Sequence, residues 1–81
     1  MTIFPPQPVK LTPREMQIID MITCDMNFKE IAQALGIKPG TVRLHLSHAR
    51  QKYHVNQTTT LVFLVTLNKM LASQERYAVV I

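Results

Sequence analysis

An all-α fold of four helices, preceded by an extended Pro-rich N-terminal arm, is what this sequence predicts. Three observations carry the prediction: apolar residues recur at helical spacing, start signals stand at Thr12, Asn27 and Pro39, and Gly36 stands where the second helix should stop.

The arm comes first. Residues Met1 to Lys10 hold Pro5, Pro6 and Pro8, which fix φ and remove backbone donors, so they read as extended chain. Thr12-Pro13-Arg14-Glu15 then forms a capping box, with Thr as N-cap, Pro at the first helical position and Glu three residues after the cap. This helix is expected to run over about 13–23, with Ile18, Ile19 and Ile22 on one arc and Met21 beside them. Asn27-Phe28-Lys29-Glu30 repeats the start signal for a short helix over about 28–35. On it Ile31 and Leu35 share a face, and Ala32 is small enough to admit a neighbouring helix. Gly36 ends it, because Gly takes positive φ without a Cβ clash, and Ile37 should pack inward behind the turn.

Pro39 suits the first position of a third helix, expected over about 39–53. Val42, Leu46, Ala49 and Tyr53 fall in one narrow stripe at 100° per residue. Leu44, Ser47, His48 and Gln51 lie opposite, with Arg43 and Arg50 on one flank and Thr41, His45 and Lys52 on the other. After the link His54–Gln57 a fourth helix is expected over about 58–72. Its apolar residues surround nearly the whole circumference, so it must bury a second face. Residues 73–81 are read as a C-terminal tail, and its apolar end, Tyr77 to Ile81, suits a loose tail, a short strand or a docking segment.

Composition narrows the function. With 81 residues, the chain makes one small domain of modest stability, to which dimerisation or a partner could add. A hydrophobic fraction of 47% argues for a folded rather than a disordered chain. The net charge of +4 hides an asymmetry, since all five acids (Glu15, Asp20, Asp25, Glu30, Glu75) lie outside Ile31–Gln74. That stretch holds Lys38, Arg43, Arg50, Lys52, Lys69 and all three histidines. Such a segment suits a polyanion, nucleic acid being the commonest, although a solvated basic helix has the same composition.

The lone Cys24 forms no internal disulfide and reads as a half-buried thiol in a reducing cytosol. The start of the chain has no secretory pattern, and no apolar run reaches the ~18 residues a membrane span needs. A soluble cytoplasmic protein without membrane contact is expected. His45 and His48 are three apart on a helix, but zinc needs further ligands, and neither Cys24 nor His54 is suitably spaced. No phosphate-binding loop is present, and the carboxylates at helix starts, Glu30 among them, are accounted for as caps. The expectation is therefore no enzyme and no catalytic residues, with no metal, cofactor or small-molecule ligand.

Two helices joined by a tight Gly-containing turn, the second with a basic outer face, form a helix-turn-helix pattern. The blocks Leu11-Thr12-Pro13-Arg14-Glu15, Lys29-Glu30-Ile31-Ala32, Leu35-Gly36-Ile37, Gly40-Thr41-Val42-Arg43, His45-Leu46, Lys52 and Val55 resemble the LuxR/GerE domain in order and spacing, over about Leu11 to Leu67. The resemblance implies a small bacterial or phage transcriptional regulator that binds double-stranded DNA, with the third helix in the major groove. Arg43, Leu44, Ser47, His48 and Gln51 are then the candidates for reading bases. Arg43 suits a bidentate contact to guanine, and Leu44 suits a thymine methyl. Lys29, Thr41, His45, Arg50 and Lys52 are candidates for phosphate contact. The resemblance also implies a homodimer through the fourth helix, with Val62, Thr66, Lys69 and Met70 on its face, and RNA polymerase or another regulator as a further partner.

The chain departs from the family pattern in places. Phe28 stands where a polar residue is common, Lys38 stands where a Ser or Thr cap is common, and Ala49 and Tyr53 replace larger aliphatics on the core stripe. No receiver or ligand-binding domain precedes the motif, and the starting Met and leader favour a stand-alone GerE-like protein. The rival reading is a protein-interaction module or antagonist that binds another regulator through the apolar fourth helix and the C-terminal tail.

Overall fold

The computed structural model describes the backbone of residues 9–80 and the side chains of residues 9–72. Four helices follow one another: α1 (Pro13–Thr23), α2 (Phe28–Leu35), α3 (Pro39–Tyr53) and α4 (Thr58–Val80), with no strand among the described residues. Of the expected arm only Val9 and Lys10 fall within the description, and Val9 packs half-buried against the core. The fourth helix continues to Val80, past the end expected near Ala72. The sequence offers a physical reason, since no Gly or Pro stands between Ala72 and Val80 to break it.

Local chemistry sets the first two helix starts. The Thr12 hydroxyl accepts from the Glu15 amide (3.1 Å), and the Glu15 carboxylate accepts from the Thr12 amide (2.9 Å). Asn27 and Glu30 repeat the exchange at α2, at 2.8 and 2.9 Å. Each pair satisfies two amides that the helix itself leaves without acceptors. Lys38, the N-cap of α3, makes no side-chain cap, since an ammonium has no lone pair to offer.

The ends of α1, α2 and α3 share one device, a left-handed residue that lets the chain bond back onto the last turn. These residues are Asp25 (φ 65), Gly36 (φ 67) and His54 (φ 57). The next amide then donates backwards in each case: Met26 to the Met21 carbonyl (3.2 Å), Ile37 to Ala32 (3.0 Å) and Val55 to Arg50 (3.0 Å).

The core lies where α3 crosses the other helices. Val42, Leu46, Ala49 and Tyr53 form its buried stripe, which meets Ile18 and Ile19 of α1, Ile31 and Ala32 of α2, and Leu61 and Val65 of α4. Ile22, Met21, Leu35 and Ile37 flank this set half-buried. Tyr53 suits its position because its ring is buried while its hydroxyl accepts from the Asn68 amide group of α4 at 3.1 Å. The expectation for Cys24 needs correction. It is exposed rather than half-buried, because it caps the end of α1 where the chain turns away from the core.

One buried group is charged. Glu15 is only 2% exposed, and beyond its capping bond it accepts from the Lys52 ammonium at 2.7 Å, joining the first turn of α1 to the last turn of α3. Burial pushes this carboxyl upward, but the Lys52 ammonium and the Thr12 amide together outweigh burial and hold it below its ordinary value of 4.5. The folded state thus binds its proton less readily than the unfolded chain does. The stabilisation is present above the unfolded value and is lost as pH falls through the folded one.

Glu15→Gln should lower stability by about 1–2 kcal/mol at neutral pH, since the pair is reachable by water on the Lys52 side. Thermal unfolding at stepped pH should show the two proteins converging on acidification, and a gap that persists in acid would refute the assignment. The glycines give a second test. A Cβ at either meets nothing within 4 Å, but only Gly36 has positive φ. Gly36→Ala should therefore cost about 1 kcal/mol, while Gly40→Ala, inside α3, should gain about 0.5 kcal/mol, as denaturant titration would read.

Candidate nucleic-acid interface

Because one side of α3 is anchored in the core, its opposite side is held outward on a rigid support. Arg43, Leu44, His48 and Gln51 are exposed there, and Ser47 is half-buried beside them. Leu44 keeps 53% of its surface in water, an apolar side chain that the fold leaves outside. The five expected base-reading residues thus share the outer face of one helix.

The five expected phosphate contacts are less uniform. Lys29 is exposed on the first turn of α2. Thr41 is half-buried, and so is His45, which faces an open groove between α1 and α3. That groove is lined by residues of the 12–17 stretch, Arg14 and Glu15 among them, on one wall and by His45 and His48 on the other. Arg50 donates to the Thr58 hydroxyl at 2.9 Å and so ties α3 to the start of α4. Lys52 is turned to the scaffold, with its ammonium on Glu15. Arg50 and Lys52 therefore both hold α3 in place, a role that the count of positive charges did not reveal.

Two further residues bear on the interface. Arg14 lies on the α1 wall of the groove, its guanidinium donating to Gln17 at 3.2 Å, so it adds a cation near His45 and His48. Phe28, noted in the sequence only for lacking a polar group, places its ring 5.7 Å from the Arg43 guanidinium. Residues 28 and 43 lie on different helices, so no periodicity within one helix could pair them. Among the described residues no three His, Cys, Asp or Glu side chains converge as a metal ion would require, and no helix is long and apolar enough to cross a membrane.

On α4, Leu61 and Val65 face the core, and the side away from it carries Phe63 (63% exposed) and Met70 (56%), with Thr66 exposed between them. Val62 is half-buried against the core, and Lys69 reaches Asp20 of α1 at 2.8 Å. Among the described residues the most exposed apolar side chain of the helix is thus Phe63, which was not among the four expected interface residues.

The fold agrees with what the chain is similar to. The GerE family model, described as bacterial regulatory proteins of the luxR family, matches residues 9–65. Over 45 residues, 56% of this chain, the sequence is 44% identical to the transcriptional regulatory protein DesR of Bacillus subtilis, covering 23% of that protein. It is equally identical, over 45 residues, to the spore germination protein GerE of Bacillus subtilis, covering 61% of it. Over 52 residues, 64% of the chain, it is 36% identical to the transcriptional regulatory protein MctR of Rhizobium johnstonii, covering 24% of that protein. The match is thus less than two thirds of the length of each of these relatives. The family model, by contrast, spans most of this chain, from before α1 into α4, and the chain belongs to the luxR family of bacterial regulatory proteins.

Proposed function

We propose that this protein is a sequence-specific DNA-binding transcriptional regulator of the bacterial cytoplasm, with α3 entering the major groove and α4 joining two copies. The observation that carries the reading is the division of α3, whose stripe Val42, Leu46, Ala49 and Tyr53 is buried while Arg43, Leu44, His48 and Gln51 are exposed on the other side. A helix supported in this way fits the major groove, where each base pair presents a distinct pattern of donors, acceptors and methyl groups.

Within this reading Arg43 takes the O6 and N7 of a guanine, and Leu44 packs on a thymine methyl. Ser47, His48 and Gln51 reach further base edges or phosphates. Lys29, Thr41 and His45 contact the backbone and set register rather than sequence. Arg50 and Lys52 contribute positive potential at the rim, but their bonds to Thr58 and Glu15 assign them first to holding α3 in place.

The exposed side of α4 supports the dimer: Phe63, Thr66 and Met70 form its centre, with Val62 and Lys69 at the margin beside α1. Two-fold symmetry then calls for an inverted repeat with half-sites about one helical turn apart. A second reading rests on the same exposed Phe63, Met70 and Leu71: the apolar face of α4 binds a different regulator or RNA polymerase. In that case the protein acts by association rather than by reading DNA.

Selection of bound duplexes from a randomised library should enrich an inverted repeat for the wild type, with one guanine position losing definition in Arg43→Ala. No enrichment at low salt would overturn the DNA reading in favour of the interaction module. Sedimentation equilibrium should find the wild type dimeric, and Phe63→Ser with Met70→Ser should raise the dimer dissociation constant roughly 10-fold or more. An unchanged constant would remove α4 from the interface.

A further inference from the structure

Phe28 is the first residue of α2, half-buried and packed against the core, and its ring lies 5.7 Å from the guanidinium carbon of exposed Arg43. A ring anchored in this way has a fixed place, whereas a lone arginine on a helix surface samples many rotamers, including those that swing toward the nearest phosphate. The π-face attracts the cation, and a guanidinium held against a ring keeps its N–H donors free at its edges. Those edges are what a guanine O6/N7 pair requires.

We infer that Phe28 is a positioning residue for base recognition, an aromatic shelf that holds the Arg43 guanidinium ready for a base edge and away from the phosphates. The inference rests on the DNA reading above. It assigns to Phe28 a share of sequence discrimination without any contact to DNA. A polar side chain at residue 28 could add a phosphate contact and with it affinity for any sequence; the ring instead favours one base at one position.

The test compares wild type, Phe28→Leu, Phe28→Tyr and Arg43→Ala by duplex selection and by titration of the selected site and its single-base variants across a salt series. Phe28→Leu keeps the apolar packing and removes the ring. It should lower discrimination at the Arg43-dependent position about two- to five-fold while leaving the other positions unchanged, and the salt slope should become steeper, by up to about one, as the freed guanidinium reaches a phosphate. Phe28→Tyr, which keeps the ring, should restore discrimination, and Phe28→Leu should have no further effect in the Arg43→Ala background. A purely structural role would instead weaken every position and persist in that background. Thermal unfolding checks that each variant folds. In the wild type, upfield ring-current shifts of the Arg43 side-chain protons should report the shelf directly, without any variant. A defined wild-type site whose preference is unchanged in Phe28→Leu, or Arg43 protons free of ring-current shift, would overturn the shelf alone. A wild type that selects no sequence would overturn the DNA reading together with it.

Discussion

The fold depends on a carboxylate buried where two helices meet. Glu15 closes the first turn of α1 through the Thr12 amide and, from the same oxygen, holds the Lys52 ammonium in the last turn of α3. Leaving a buried carboxylate unpaired is costly, so neither helix can slide or rotate freely without exposing or orphaning the charge. The pair thereby turns a cap, which is local to one helix, into a constraint on the direction of the helix that presents the candidate DNA-reading face. Arg50 adds a second tie from α3, to Thr58 at the start of α4, and the Tyr53–Asn68 hydrogen bond a third. The three ties lie in the C-terminal part of α3, while its N-terminal part carries Arg43 and Leu44.

This arrangement separates support from recognition along one helix. A small chain has little apolar surface to spend on rigidity, and among the described residues ten buried side chains drawn from all four helices make up its core. Polar ties at the periphery supply direction that a core of this size does not fix alone. They use positive charge to do so: Lys52, Arg50 and Lys69 are each engaged within the fold. The positive potential remains, but among the described residues the exposed cations outside these ties are Lys10, Lys29, Lys38 and Arg43, a smaller set than the charge count suggests. Phe28 then restricts even Arg43, so what the interface loses in non-specific attraction it can recover in direction.

Most of the fold was legible because its signals are local. A Thr or Asn followed three residues later by Glu specifies a helix start whatever surrounds it, and Gly36 marks a left-handed end because its lack of a Cβ makes that conformation cheap. Asp25 and His54 end their helices in the same conformation without that signal, since their side chains tolerate positive φ but do not announce it. Sequence alone points to a half-buried Cys24, because thiols usually are buried, whereas its place in the turn after α1 exposes it. The extension of α4 to Val80 belongs to the same class: weak apolar patterning hid a helix that contains no breaker.

The sequence by itself determined the four helices, the apolar stripe of α3 and hence which of its residues face away from the core, because capping and periodicity are written within a dozen consecutive residues. Only the tertiary structure decided what each charge is for. Whether Lys52 meets Glu15, Lys69 meets Asp20 or Arg43 meets Phe28 depends on distances between helices, and partners separated by 37, 49 or 15 positions lie outside any local period. Folding brings those pairs within reach; at buried Glu15 the low local dielectric rewards pairing over solvation, whereas Lys69 and Asp20, both more than half exposed, are screened by water.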